Sequence, residues 1–466
     1  MFRSLVYTVL LVLSAHAAAL DFGRIRADEI AVYAQDLTTG EVVAAHRADV
    51  SMNPASTMKL VTTFAALRAL GPDYTWVTQW QSPAAVVSGS LNGDLYWLGS
   101  GNPVFDQTDL LDMQAQLREH GIRHISGRLV LDRSVWRDSG SAHGFDDDAA
   151  EAFATAPDSH MLAYKVVWVK PERNMLGDIA VNTNPPLPDI AQNSSVSVYA
   201  SAVPCPSLKR YMSAEYRDGV LNISGRLPES CLGQEMFVNM LDAPDFAGRS
   251  FVNHWRAAGG QIQNGYAVGK VPERSVTLAL NRSRNLAEVL KDMNKNSNNV
   301  IARSVFLTLG AHSAQGPTRQ NAEAAVRRQL AEAGLDDEAL VLENGSGLSR
   351  RERVTAGMMG QMLAQAYRSP FKQEFVDSLP VAGTDGTLKS RFKQIGTPLR
   401  LKTGTLKNVR ALAGYWLPQT PQQHPLALVV LINSEHSGDY LPDLDNLVAR
   451  VLNQANVYEQ QLVVPQ

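Results

Sequence analysis

The segment Pro54-Ala55-Ser56-Thr57-Met58-Lys59-Leu60 opens a run whose apolar residues follow a helical pattern and which ends near Gly71. Proline is favoured at a helix start, so Pro54 marks where this helix begins. The apolar side chains cover more than one face of the predicted helix, and they are Met58, Leu60, Val61, Phe64, Ala65, Leu67, Ala69 and Leu70. A helix that is apolar on most of its surface is normally buried. The sequence therefore predicts a buried helix at the centre of a domain.

Ser56 and Lys59 are three residues apart, and side chains with this spacing share one face of a helix. The lysine amine can therefore reach the serine hydroxyl. Burial disfavours the charged ammonium and lowers its pKa, so a buried lysine can act as a general base. Unpaired backbone N–H groups at a helix start, with the helix dipole, can stabilise a developing oxyanion. The spacing indicates an activated serine nucleophile.

Ser-x-x-Lys is a weak signal by itself. It also fits a turn serine followed by a solvated lysine, and it recurs at residues 369–372 and 390–393. The assignment of Ser56 therefore depends on what the rest of the chain contains.

Length and composition describe an ordinary globular protein. The chain has 466 residues, enough for two or three domains and a substantial core. Hydrophobic residues make up 45%, charged residues 19%, and the formal net charge is −3. This near-neutral balance gives no support for nucleic-acid binding, which favours a concentrated basic face.

The N-terminus has the pattern of a secretory signal peptide over residues 1–19. Arg3 supplies a positive charge, Leu5 to Leu13 form an apolar core, and the small residues from Ala15 to Ala19 provide a cleavage site. The apolar core is too short to span a bilayer stably. We expect a mature protein exported to the periplasm without a transmembrane anchor.

Cys205 and Cys231 are the two cysteines, and both lie in loop-like stretches. In an oxidising compartment a disulfide is the favoured interpretation, with two free buried thiols as the alternative. Without clustered histidines they do not indicate a zinc site. We therefore expect no metal and no cofactor.

The order of predicted elements indicates an outer domain interrupted by an insertion. Residues 30–36 and 41–46 read as a hairpin. Short alternating runs with one helix, around 109–119, fill residues 76–250, which we interpret as an inserted region of one or two small, mostly β domains. An acidic cluster at 146–148 lies within it.

Helical periodicity returns after the insertion. Helices are predicted at 246–258, 286–309, 320–333, 353–366 and 441–452, and strands at 399–405, 412–417 and 426–432. Strands at both ends of the chain predict one sheet built from both termini. Residues 20–75 and 251–466 are therefore expected to form a single discontinuous domain.

Two further motifs carry chemistry. Ser297 and Asn299 form a Ser-x-Asn triplet within the helical stretch. A second hydroxyl can relay a proton between Lys59 and a leaving amine, and an amide side chain both donates to and accepts from a peptide group. The triplet is common by chance, so it is informative only in combination with the other motifs of the chain.

Lys402-Thr403-Gly404 is the only Lys-Thr-Gly in the chain and lies on a predicted strand. Gly404 lets a ligand approach the backbone, so an extended substrate can pair with the strand edge. A lysine ammonium and threonine hydroxyls are groups that can bind the terminal carboxylate of a substrate. The N–H groups of Ser56 and Thr405 are candidate oxyanion donors.

Ser-x-x-Lys, a Ser-x-Asn triplet and Lys-Thr-Gly, in this order, are typical of β-lactamases and penicillin-binding proteins. The chain resembles the class C low-molecular-mass penicillin-binding proteins, the D-alanyl-D-alanine carboxypeptidase/endopeptidases. Three further segments carry this resemblance: Gly99-Ser100-Gly101-Asn102-Pro103, Asn344-Gly345-Ser346-Gly347-Leu348-Ser349-Arg350, and the glycine-rich stretch at 378–388.

The resemblance implies an α/β (α+β) fold, with a mainly antiparallel sheet flanked by helices and domains inserted after the Ser56 helix. It implies Ser56 as the acylated nucleophile, Lys59 as its base, and Ser297, Asn299 and Lys402 as the proton-handling and binding groups. It further implies that Thr403 and Thr405 hold the terminal carboxylate and complete the oxyanion hole. Arg350 matches a substrate-contacting arginine of the family.

The expected substrates are peptidoglycan stem peptides and cross-links, and β-lactams are expected to act as covalent inhibitors. Two alternatives stay open from the sequence. A serine β-lactamase shares the fold, although Ser297 stands where many such enzymes have tyrosine. A non-catalytic peptidoglycan-binding protein is the other, although every motif residue is present. The oligomeric state is not predicted.

Overall fold

The computed structural model describes residues 20–138, 155–201, 203–311, 315–420 and 422–462. The predicted signal peptide at 1–19 and the acidic cluster at 146–148 lie outside the described residues. None of the helices in the described part of the chain is long and apolar enough to cross a membrane.

The described chain begins with a strand hairpin and one helix, continues with mostly strands up to residue 282, and then has five helices, three strands and a closing helix. The helices are α1 (Lys59–Leu70), α2 (Gln107–Glu119), α3 (Ala243–Ala257), α4 (Leu286–Lys295), α5 (Asn299–Ala311), α6 (Thr318–Glu332), α7 (Ala356–Arg368), α8 (Lys372–Ser378) and α9 (Leu441–Leu462). The strands are β1 (Ile30–Asp36), β2 (Val42–His46), β3 (Val77–Ser82), β4 (Val86–Val87), β5 (Ser90–Leu91), β6 (Leu95–Leu98), β7 (His124–Ile125), β8 (Leu129–Asp132), β9 (Val167–Arg173), β10 (Ile179–Asn184), β11 (Ala191–Tyr199), β12 (Met212–Arg217), β13 (Val220–Pro228), β14 (Met236–Val238), β15 (Gln261–Ile262), β16 (Tyr266–Val268), β17 (Val276–Arg282), β18 (Leu399–Leu406), β19 (Val409–Trp416) and β20 (Leu426–Asn433).

An antiparallel sheet joins the two ends of the chain. Its strand order is β18–β19–β20–β1–β2. The first strand pairs along its length with the last, from Ile30 opposite Ile432 to Asp36 opposite Leu426. This confirms the predicted hairpin and the single sheet built from both termini. It leaves β18, which carries Lys-Thr-Gly, at one edge.

Helix α1 is buried among the helices on one face of this sheet. All of its residues from Lys59 to Leu67 are buried, as the apolar pattern predicts. It packs against α4, α5, α6 and α7. Each large apolar side chain buried here, such as Phe64, contributes roughly 1.5–3 kcal/mol. The first turn, Ala55–Met58, is a 3₁₀ turn rather than part of the α-helix.

The inserted region is mainly β structure with a hydrophobic core of its own. A five-stranded sheet has the order β16–β8–β6–β3–β17, and three smaller sheets contain the remaining inserted strands. Aromatic rings fill the core: Trp80 packs edge-on against Trp97 and Phe251, and Phe251 stacks on Trp255. The predicted mixed fold with β-rich insertions is confirmed.

Helix α3 and strand β17 pack with the inserted region. The expected boundary at residue 250 falls inside α3, whose apolar face, including Phe246 and Trp255, belongs to the inserted core. Strand β17 then pairs with β3, from Val276 opposite Ser82 to Arg282 opposite Val77. A helical pattern does not reveal which core it faces. We therefore propose that the insertion spans residues 76–282 and that the outer domain resumes at α4.

Cys205 and Cys231 form a disulfide within the insertion, with a Cα–Cα distance of 5.1 Å. Cys231 is fully buried in the inserted core, and Cys205 packs against it. The bridge links the chain before β12 to the chain after β13, across a sequence separation of 26 residues.

Removing this bridge with the double substitution Cys205→Ala and Cys231→Ala should lower the free energy of unfolding of the inserted region by about 2–4 kcal/mol, because the unfolded chain regains the entropy of an open loop. Denaturant unfolding followed by tryptophan fluorescence measures the change. Reduction of the parent protein should reproduce it. An unchanged midpoint in both experiments would show that the bridge adds no stability.

Candidate active site

The turn that presents Ser56 is held by two buried or half-buried asparagines. Asn53 Oδ1 accepts a hydrogen bond from the Ala55 N–H at 2.8 Å, and Asn53 Nδ2 donates to the carbonyl oxygens of residues 349 and 350 at 3.2 and 3.1 Å. Asn433, at the end of β20, accepts from the Asn53 N–H and donates to the Asn53 carbonyl. The antiparallel sheet that joins the two ends of the chain thus fixes the position of the turn that carries Ser56.

Lys59 is fully buried, and three oxygens surround its amine. Nζ lies 3.0 Å from Ser56 Oγ and 2.6 Å from both Asn299 Oδ1 and the Ser346 carbonyl oxygen. A neutral amine has two N–H bonds and one lone pair. The two carbonyl-type oxygens can only accept, so they take the N–H bonds, and the lone pair is left for the Ser56 hydroxyl.

Desolvation favours this neutral form. Burial lowers the pKa of Lys59 to about 7, and the negative charge of Glu352 opposes the decrease. A base whose pKa lies near neutral pH is both available and strong enough to remove a hydroxyl proton. The contacts and the lowered pKa of Lys59 are therefore those that a general base requires.

Ser297 lies in a turn, not within a helix. The sequence predicts a helical stretch over 286–309, but α4 ends at Lys295 and α5 begins at Asn299. Ser297 has a φ of 55°, which is uncommon for a residue other than glycine and recurs at functional sites. The break lets the serine hydroxyl face β18 while Asn299, in the first turn of α5, faces Lys59.

Lys402 is a second buried lysine. Its Nζ donates to Ser297 Oγ and to the Thr403 carbonyl, both at 2.8 Å. Burial lowers the pKa of Lys402 well below its ordinary value, and the positive charge of Lys59 lowers it further. Ser297 therefore has a lysine that can hold or release a proton beside it.

The edge of β18 runs past the nucleophile. A Cβ atom on Gly404 would lie 2.7 Å from the Pro54 carbonyl oxygen, so a larger residue here would displace the nucleophile turn. On the other face, Thr403 Oγ1 donates to Thr387 Oγ1 at 2.8 Å. Thr405 is exposed at the open end of the strand. Residues 380–382 pair with the start of β18 at Leu399 and Leu401, so the edge offered to an extended ligand is the later part, around Thr403 and Thr405.

A cavity of about 410 Å³ opens over the serine. It is lined by Ser56, Ser297, Asn299, Leu348, Arg350, Thr405, Leu406 and Lys407. The predicted residues are therefore close together. Lys59 contacts Ser56 and Asn299, and Lys402 contacts Ser297. Ser56, Ser297 and Asn299 line the cavity, together with Arg350 and Thr405.

A model of the D-Ala-D-Ala carboxypeptidase 3 (S13) family matches residues 12–455. The chain belongs to this family. It is a hydrolase of the serine D-alanyl-D-alanine carboxypeptidase class, as the motifs predict.

Relatives and solved structures agree with this family. The D-alanyl-D-alanine carboxypeptidase of an Actinomadura species is 27% identical over 423 residues, which cover 86% of this chain and 77% of that protein. The crystal structure of penicillin binding protein 4 from Haemophilus influenzae matches with a TM-score of 0.74 and 24% identity, covering 93% of this chain and 96% of that one.

A third match is a predatory endopeptidase of Bdellovibrio bacteriovorus, acylated by penicillin G and in complex with an immunity protein. It has a TM-score of 0.54 and 18% identity, and the match covers 91% of this chain and 92% of that one. At these identities the solved structures support the fold, including the insertion.

Several residues that shape the site of this S13 hydrolase carry no sequence signal. Asn53 and Asn433 are far apart in the chain, and nothing in their surroundings predicts that they meet. Glu352 follows the loop at 344–350 that carries the family resemblance. From the sequence alone, a charged residue at this position is expected to be exposed to solvent. Thr387 lies in the glycine-rich stretch, where its contact with Thr403 depends on the loop conformation.

Acylation of this S13 hydrolase by benzylpenicillin should become faster as the pH rises and level off above about 7. Below that pH the Lys59 lone pair holds a proton and cannot accept the one from Ser56. Intact mass spectrometry of quenched samples gives the rate at each pH, and thermal unfolding at the same pH values controls for loss of structure. A rate that is independent of pH across neutrality would contradict Lys59 as the base.

Proposed function

We propose that this protein hydrolyses D-alanyl-D-alanine bonds of peptidoglycan peptides through an acyl-enzyme on Ser56. The observation that carries the proposal is the 3.0 Å contact between Ser56 Oγ and a buried lysine amine whose other contacts are hydrogen-bond acceptors. This arrangement supplies a nucleophile and its base.

In the first step Lys59 takes the hydroxyl proton and Ser56 Oγ attacks the carbonyl carbon of the penultimate D-alanine. The backbone N–H groups of Ser56 and Thr405 are suited to donate to the resulting oxyanion, since both residues line the cavity. Pre-aligned donors of this kind typically account for a large part of a rate enhancement.

In the second step the C–N bond breaks and the leaving amine takes up a proton. Ser297 is suited to deliver it, because its hydroxyl is 2.8 Å from the Lys402 amine and it shares the cavity with Ser56. The proton that Lys59 took from Ser56 passes through the Ser297 hydroxyl to this amine, which leaves Lys59 neutral. Water then attacks the ester carbonyl, and Lys59 accepts a proton from the water and returns it to Ser56 Oγ as the ester C–O bond breaks. The serine is released for another cycle.

The substrate is expected to lie along the edge of β18. Asn299 and the strand backbone would bind its peptide groups, and Thr403 and Thr405 its terminal carboxylate. Arg350 lines the same cavity and would contact the acyl portion. Because the strand edge is open, the leaving amine can belong either to D-alanine or to a cross-linked neighbour. We therefore propose both carboxypeptidase and endopeptidase activity.

β-Lactams are expected to acylate Ser56 and to stay bound, because their leaving group remains tethered. The penicillin G adduct of the Bdellovibrio endopeptidase supports this expectation. The apolar segment before residue 20 supports export to the periplasm, where peptidoglycan lies.

The identity of the nucleophile is tested by exposing the parent protein, Ser56→Ala and Ser51→Ala to benzylpenicillin and measuring intact mass. Ser51 is an exposed serine near the same turn and serves as the matched control. We expect a stable adduct on the parent and on Ser51→Ala and none on Ser56→Ala. The parent should also release D-alanine from a stem peptide, with activity in Ser56→Ala reduced by several orders of magnitude.

Other results would point to the alternatives. Penicillin that is consumed without an accumulating adduct would identify a β-lactamase. An unmodified parent protein that binds stem peptide but releases no D-alanine would identify a non-catalytic binding protein. An adduct that persists in Ser56→Ala would refute the assignment of the nucleophile.

A further inference from the structure

Glu352 is a fully buried carboxylate that no step of the proposed mechanism uses. Its Oε1 accepts hydrogen bonds from three successive backbone N–H groups, those of Glu343, Asn344 and Gly345, at 3.1, 3.0 and 3.0 Å. Burial raises the pKa of Glu352, and these N–H groups oppose the increase. Several N–H donors directed at one carboxylate favour its ionised form.

The loop that Glu352 holds is the loop that contacts the base. The Gly345 carbonyl accepts from Thr62 Oγ1 on α1, and the Ser346 carbonyl accepts from Lys59 Nζ, both at 2.6 Å. Gly347 lies against the nucleophile turn, where a Cβ atom would be 1.8 Å from the Ala55 carbonyl oxygen. One carboxylate therefore fixes the loop that orients the Lys59 amine.

The negative charge of Glu352 also acts electrostatically on the Lys59 amine. It raises the pKa of Lys59 against the effect of burial, and it does the same for Arg303, a buried residue of α5. The other charged groups around this site are Lys402 on β18 and, on the loop itself, Glu343, Arg350, Arg351 and Arg353. Glu343 is paired with Arg351 and accepts from the Ser349 hydroxyl.

We propose that Glu352 is a positioning residue for the reaction, which holds the Ser346 carbonyl against Lys59 and stabilises the ammonium formed when Ser56 loses its proton. The inference rests on the proposed function, because it assigns Glu352 a role in the step in which Lys59 acts as the base. A carboxylate that only stabilised the loop would have no effect on the protonation of Lys59.

The substitution Glu352→Gln tests the electrostatic part of this role. Glutamine keeps an oxygen that can accept the three N–H bonds but removes the charge. In the pH dependence of benzylpenicillin acylation, we expect the inflection to move to lower pH by about one unit, as for the loss of a nearby opposite charge. The plateau rate should fall, because the Lys59 ammonium is less stabilised.

The matched control is Glu343→Gln, which removes a carboxylate from the same loop. We expect its inflection to coincide with that of the parent, because Glu343 is paired with Arg351. An inflection in Glu352→Gln that also coincides with the parent would overturn the proposal. A loss of stability alone would lower the amount of active protein but would not move the inflection.

The substitution Glu352→Asp tests positioning and also serves if the glutamine variant does not fold. Aspartate keeps the charge but is shorter, so it draws the loop and the Ser346 carbonyl away from Lys59. We expect the plateau rate to fall at least several-fold, and an unchanged plateau would overturn the proposal. Failure of the proposed function is distinct, because the parent protein would then not be acylated at any pH.

Discussion

A lysine amine removed from water is the constraint on which this active site depends. Desolvating an ammonium group costs several kcal/mol unless other charges compensate, so the buried Lys59 loses its proton near neutral pH. Two oxygens at 2.6 Å, from Asn299 and Ser346, then take its N–H bonds and direct the lone pair at Ser56. On the proposed mechanism, the burial of α1 at the centre of the domain thus gives Lys59 the pKa that a base needs.

The groups around Lys59 come from distant parts of the chain, and the fold explains how they meet. The pairing of β1 with β20 joins the two ends of the chain, and Asn433 at the end of β20 holds the turn that carries Ser56. The inserted region has its own core and its own disulfide, so it can be large without displacing the site. Lys402 approaches from the edge strand and Ser297 from the turn between α4 and α5. The side chains of the site thus come from several elements, and no single element forms it.

Apolar periodicity and residue spacing in the sequence predicted those parts of the structure that depend on interactions between residues close together in the chain. The apolar run after Ser56 predicted a buried helix, and the i, i+3 spacing predicted the contact between Ser56 and Lys59. The strand predicted over residues 399–405 corresponds to β18. The break at Ser297 was not predicted, because helical periodicity continues on both sides of it and the left-handed residue is not a glycine. The end of the insertion and the role of Glu352 depend on which core a helix faces and which N–H groups a carboxylate meets. Those are tertiary facts that a single sequence does not contain.

The most direct test of this account is the pKa of Lys59 itself. NMR of protein labelled at lysine Cε and Nζ follows the protonation of the amine, with Lys59→Met and Lys402→Met used to assign the two buried lysines. The account predicts that the Lys59 signal titrates at about pH 7. A titration near the ordinary lysine value of 10.5 would contradict it, because Lys59 would then carry its proton at neutral pH and could not accept one from Ser56.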